Sequence, residues 1–188
     1  MREGSPSKSR RKRPPKPLDE VRLRDLALAY VARFATSAGK LEQYLKRKLR
    51  ERGWEGESAP DVRALVARYV ELGYVDDTAY ARTKAGDLLR RGYGPRRVAQ
   101  ALGQAGIDEE VRGRVEASEL EAREAALHMA RKRRFGPFAL DPVDRALREK
   151  QLAAMIRAGH GFDIARAVLD AASEKAAEDW VREAHDDV

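Results

Sequence analysis

The chain has 188 residues, no cysteine and a formal net charge of +7, almost all of its excess in residues 1–17; the absence of cysteine excludes disulfides and cysteine-based metal sites. Leu, Ile, Val and Phe supply only 38 of those residues, so any core is thin. Alanine and charged residues dominate while β-branched residues are scarce, a mixture that favours helices over strands.

Residues 1–17 hold Arg2, Lys8, Arg10, Arg11, Lys12, Arg13 and Lys16 against Glu3, with Ser, Pro and Gly between them. Such a segment cannot bury enough apolar surface to offset chain entropy, so it reads as a disordered basic arm. No signal-peptide core follows it and no run of about 18 apolar residues occurs, which points to the cytoplasm. Asp19 then suits the cap of a helix with its apolar stripe at Leu23, Leu26, Ala27, Tyr30, Val31 and Phe34. Ser37 opens a second helix through Leu41, Tyr44, Leu45 and Leu49 to a stop at Gly53, and Asp61 a third through Leu65, Val66, Tyr69 and Val70 to Gly73.

The pattern restarts at Asp76 or Asp77, either of which can cap a helix running to Gly92. Gly94 and Pro95 fit the N-cap and first turn of the next, which ends at Gly106, and a short helix spans about Asp108–Val115. A third set begins near Ser118, breaks at Gly136-Pro137, resumes at Asp144 and continues from a cap at Asp163. Gly53, Gly106 and Gly161 recur at intervals of 53 and 55 residues, each followed by an apolar residue: Trp54, Ile107 and Phe162. A hydrophobic contact closing a helix C-cap has that form. The expectation is an all-α chain of three tandem three-helix repeats of about 50 residues, at 18–75, 76–117 and 118–172, stacked into an elongated curved array. An acidic C-terminal extension at 173–188 follows.

Catalysis has little support. Asp76 and Asp77 sit between a glycine and a helix start, where capping outweighs acid–base work. Gly92-Tyr93-Gly94 follows no strand and precedes Pro95, so it reads as a helix–helix turn. His128, His160 and His185 lie in separate segments, and neither a metal, a cofactor nor a catalytic triad is expected.

The basic clusters remain as binding candidates. They are Lys46 and Arg47, with Lys48, Arg50 and Arg52 nearby; Arg82, Lys84, Arg90, Arg91, Tyr93, Arg96 and Arg97 around the central turn; and Arg131, Lys132, Arg133 and Arg134. Arg90, Arg91, Arg96 and Arg97 are the sharpest, because a turn brings a helix end and a helix start together beside Tyr93.

Three blocks together carry a family resemblance: Gly73-Tyr74-Val75-Asp76-Asp77-Thr78-Ala79-Tyr80-Ala81, Arg91-Gly92-Tyr93-Gly94-Pro95 and Leu102-Gly103-Gln104-Ala105-Gly106-Ile107. In order and spacing they resemble the signature of the RecX family, bacterial modulators of the RecA recombinase, and the likeness extends over roughly residues 19–170. The resemblance implies a crescent of helical repeats lodged in the groove of a RecA filament on single-stranded DNA, suppressing ATP hydrolysis and strand exchange and promoting filament loss; a monomer is expected. Lys40 departs from the family pattern, which often has an acidic residue there to complete a capping box with Ser37. The alternative reading is a helical protein that binds DNA directly, through the arm and the central turn, without a recombinase.

Overall fold

The computed structural model describes residues 16–186. The expectation of a disordered arm therefore falls, for residues 1–15, outside the described residues. Ten helices follow in order: α1 (Glu20–Val31), α2 (Ala38–Arg52), α3 (Val62–Glu71), α4 (Asp77–Arg90), α5 (Pro95–Gln104), α6 (Glu109–Arg114), α7 (Glu119–Arg133), α8 (Arg145–Arg157), α9 (Phe162–Asp170) and α10 (Glu174–Asp186). A 3₁₀ turn at Gly136–Phe138 separates α7 from α8. No strand occurs among the described residues, only an isolated parallel bridge between Leu18 and Trp54.

Local capping chemistry starts most of the helices. Asp19, Asp61, Asp76 and Asp144 each accept a hydrogen bond from the backbone N–H three residues on, at 2.7–2.9 Å, which satisfies one of the free donors of a helix start. Ser118 forms a full capping box with Glu121. The expected cap at Asp163 is corrected: Gly161 holds the N-cap position of α9 and Asp163 lies inside its first turn, where its charge faces the positive end of the helix.

Three small cores form along the chain. The first gathers Leu23, Leu41, Leu45, Val66 and Val75 from α1–α3 and the residues after them. The second gathers Leu88, Leu89, Val98, Leu102 and Ile107, and the third Met129, Phe138, Met155, Val168 and Leu169. The fold is thus all-α and built of three-helix repeats, each gathered around a small cluster of buried side chains. The acidic segment after the third set is helix α10, which buries Ala177, Val181 and Ala184. Arg123 of α7 donates to the Trp180 carbonyl at 2.6 Å and lies 4.7 Å from that indole ring.

Consecutive repeats meet in one recurring way: the start of the middle helix in one repeat lies against the end of the middle helix in the next. Gly39 of α2 abuts Ala105 and Gly106 after α5, and Gly94 before α5 abuts Gly159 and His160 after α8. At the end of the middle helix of the first repeat, Leu18 takes this place against α2, donating to Gly53 O (3.0 Å) and accepting from Glu55 N–H (2.8 Å).

The structure corrects the third position of the repeat. Gly53, Gly106 and Gly159 have left-handed φ values of 78°, 72° and 96°, whereas Gly161 has φ −65°. The spacing is therefore 53 residues in both intervals. The residue after Gly159 is His160, fully buried; its N–H bonds Met155 O, as that of Ile107 bonds Leu102 O. Phe162, expected to close this helix end, begins α9 and is 50% exposed. Gly159 is required because its neighbour is the backbone of Arg97, leaving no room for a Cβ, and because its φ disfavours other residues.

Candidate functional site

Helix α2 assembles a continuous basic surface. Lys40, Gln43, Lys46, Arg47 and Arg50 recur at helical spacing along one side and, with Tyr30 and Tyr44, line a shallow groove of about 470 Å³. Tyr30 and Tyr44 stack at 4.2 Å with 19° between their planes, and Phe34, 56% exposed, lies 5.2 Å from Tyr30. Arg47 and Lys48 sit 5.6 and 5.9 Å from the Tyr44 ring, within range of a cation–π attraction.

Two carboxylates temper this charge. Glu42 pairs with Lys46 at 2.6 Å and Arg63 at 3.5 Å, and Glu51 with Lys48 at 2.6 Å and Arg47 at 3.6 Å. The hydrogen bond from Lys46 holds the Glu42 carboxyl below its ordinary value, and that from Lys48 does the same for Glu51. Both are ionised at neutral pH. Lys40 and Arg50 have no carboxylate within ion-pair distance among the described residues, and Lys40 reaches across to Tyr80 of the second repeat, 5.2 Å from its ring.

The central turn is arranged differently. Gly92 and Gly94 are buried because the turn docks the third repeat: Gly94 N–H donates to Ala158 O (3.0 Å) and Arg96 N–H to Gly159 O (3.1 Å). Its arginines consequently diverge. Arg90 pairs with Asp87 and lines a groove with Glu121, Glu124 and His128, while Arg96 lines another with Glu109, Arg112 and Glu116. Arg91 stays at the tip, 5.5 Å from the Tyr93 ring, and Arg97 donates to Gln100 at 2.6 Å. Arg82 is exposed and Lys84 half-buried on α4. On α7, Arg131 pairs with Glu178 of α10, whereas Lys132, Arg133 and Arg134 are exposed.

Known proteins place this architecture. A family model described as "RecX, second three-helix domain" matches residues 76–114, the stretch holding α4 to α6. The Regulatory protein RecX of Myxococcus xanthus is 36% identical over 178 residues, covering 89% of this chain and 95% of that protein. The chain belongs to the RecX family. The RecX of Stenotrophomonas maltophilia is 38% identical over 120 residues, 63% of this chain and 69% of that one. The crystal structure of RecX from Lactobacillus salivarius has a TM-score of 0.61 at 17% identity, covering 89% of this chain and 97% of that chain, and so shares the fold.

Within this RecX-family chain, Lys46 and Arg47 come together in one groove with residues that sequence reasoning did not single out for binding, Tyr30, Lys40 and Gln43, and Phe34 lies beside it against Tyr30. Cation spacing on α2 was the available signal. Tyr30 of α1 and Phe34 just after it carried none, because both fit an apolar stripe equally well. Among the described residues no group of three His, Cys, Asp or Glu side chains could hold a metal, and no helix is long and apolar enough to cross a membrane.

Proposed function

We propose that this chain binds the RecA recombinase filament on single-stranded DNA and restrains its ATPase and strand-exchange activity, acting as a cytoplasmic monomer without chemistry of its own. The observation that carries this reading is membership of the RecX family over nearly the whole chain, 89% of it against the Myxococcus regulatory protein. The exposed cations on the second and third repeats support it as well. Arg82, Arg91, Arg96 and Arg97 around the central turn, with half-buried Lys84 and Tyr93 beside them, and Lys132, Arg133 and Arg134 at the end of α7, offer positive charge on a rigid helical frame, and complementary charge accelerates docking and fixes register.

The test is co-sedimentation with RecA filaments, with and without nucleotide and single-stranded DNA, together with RecA ATPase rates. Co-sedimentation only when a filament has formed, with a falling ATPase rate, is the expected result. Changing Arg90, Arg91, Arg96 and Arg97 to Ala touches exposed side chains, so helical circular dichroism should persist while half-inhibition requires about tenfold more protein, a loss of about 1.4 kcal/mol. Undiminished inhibition by that variant would remove the central turn from the interface.

A further inference from the structure

The α1–α2 groove combines features that a solvated helix face does not need. Its two tyrosines, Tyr30 and Tyr44, stack at 4.2 Å, and exposed Phe34 beside the groove extends the row, its centroid 5.2 Å from Tyr30. Along that row run Lys40, Lys46, Arg47 and Arg50, and among the described residues only Glu42 and Glu51 pair with any of them. A cationic track beside aromatic faces is what a single-stranded nucleic acid requires, since phosphates follow the charge and unpaired bases stack on rings. A duplex hides those base faces, whereas the exposed Phe34 ring beside the cations offers an unpaired base a surface to stack on.

We propose that the α1–α2 groove of the first repeat is a binding site for single-stranded nucleic acid, with Lys40, Arg47 and Arg50 on the phosphates and Phe34 presenting a face to a base. This site is separate from the central turn and does not depend on the recombinase reading. Charge complementarity argues for the ligand, because Lys40 and Arg50 keep their charge free of carboxylate partners among the described residues while the half-buried tyrosines hold the groove floor rigid.

The experiment is fluorescence anisotropy of a labelled oligothymidylate titrated with the full chain, without RecA, across about 50 to 300 mM salt. Substituting Lys40→Ala together with Arg50→Ala should weaken binding about tenfold at 150 mM salt. The same pair should also lower the slope of log affinity against log salt by about 1.4, at about 0.7 per phosphate contact for a single strand. Phe34→Ala should weaken binding at least about fivefold and leave the salt slope unchanged. Phe34→Leu, which keeps an apolar side chain of similar volume, should show the same loss with intact helicity, so that a folding defect in the alanine variant cannot account for it. Unchanged affinity in the charge pair and in Phe34→Leu overturns the proposal. Equal or tighter binding of a matched duplex overturns it too. RecA ATPase inhibition is measured on the same variants, so a failure of this site is distinguishable from a failure of the recombinase reading.

Discussion

Where the first repeat meets the second, Gly39 lies against Gly106, Ser37 Oγ donates to Ala105 O at 2.5 Å, and the Asp77 carboxylate accepts from Ala38 N–H at 2.8 Å. Where the second meets the third, Gly94 lies against Gly159, two backbone N–H groups donate to backbone carbonyls, and His160 Nε2–H donates to Gly92 O at 3.1 Å. Backbone approach is thus common to both junctions, while the polar groups that close them differ. The first uses a carboxylate and a hydroxyl, the second an imidazole and the main chain. Both satisfy buried backbone groups that would otherwise be left without partners. The second sits tighter, since a Cβ on Gly94 would overlap the Gly159 carbonyl and His160 N, whereas one on Gly39 would lie 2.7 Å from Ala105 O.

That difference in closeness gives the largest expected effect. Gly94→Ala forces two backbones apart and should cost about 3 kcal/mol or more in urea denaturation, as overpacking of a rigid contact does. Gly39→Ala should cost about 1–2 kcal/mol, because the closest atom, though also backbone, lies farther away. Gly113→Ala, inside α6 with nothing within 4 Å of the added Cβ, should gain about 0.5–1 kcal/mol from helix propensity alone. Equal losses at Gly94 and Gly39 would erase the distinction between the junctions.

The next effect separates them by pH. Burial holds the His160 imidazole below its ordinary value, opposed by the bond to Gly92, and its Nδ1 is buried without a partner. A proton arriving on Nδ1 would have no acceptor. Above about pH 6.5 neither folded nor unfolded chain carries this proton; below it the unfolded chain takes the proton up first, so stability falls as pH falls. The slope approaches about 1.4 kcal/mol per pH unit between the unfolded and folded values. His160→Gln keeps a donor for Gly92 O without titrating, and should flatten urea midpoints measured between about pH 7 and 5 relative to the parent. An unchanged pH profile would remove His160 from the account of this junction.

Much of the fold was legible because helix starts are local events. Asp19, Asp61, Asp76, Ser118 and Asp144 each bond a group only three residues away. The misplacement at Gly161 has a non-local cause: two glycines flank His160, and the one followed by a phenylalanine fits a hydrophobic cap better. The selection of Gly159 depends on the Arg97 backbone, and the burial of His160 on a carbonyl 68 residues away. Asp77 is similar, since its partner Ala38 belongs to the preceding repeat. The candidate sites divide the same way. Cations at helical spacing on α2 were visible, but the stacking of Tyr44 on Tyr30 depends on α1 packing against α2, and the central turn gave no sign that its glycines would be spent on docking the third repeat.

The smallest effect lies at the first junction and has the opposite sign. Burial raises the Asp77 carboxyl above its ordinary value; the Ala38 N–H bond opposes this, and Asp108 and Asp76 add to the raising. A group bound more tightly to its proton in the folded chain contributes stability that is fully present below the unfolded value of about 3.8 and is lost as pH rises through the folded value. At neutral pH the junction therefore carries an ionised carboxylate at some cost, retained for its bond to Ala38. Asp77→Asn preserves an acceptor and removes the charge, so at pH 7 its stability should match the parent or exceed it by less than about 1 kcal/mol. Asp77→Ala leaves the Ala38 N–H without its partner and should cost about 1 kcal/mol, as losing a helix cap does. Urea midpoints of the two variants at pH 7 check the ordering; a loss in Asp77→Asn as large as in Asp77→Ala would show that the charge itself, rather than the acceptor, holds α2 against α4.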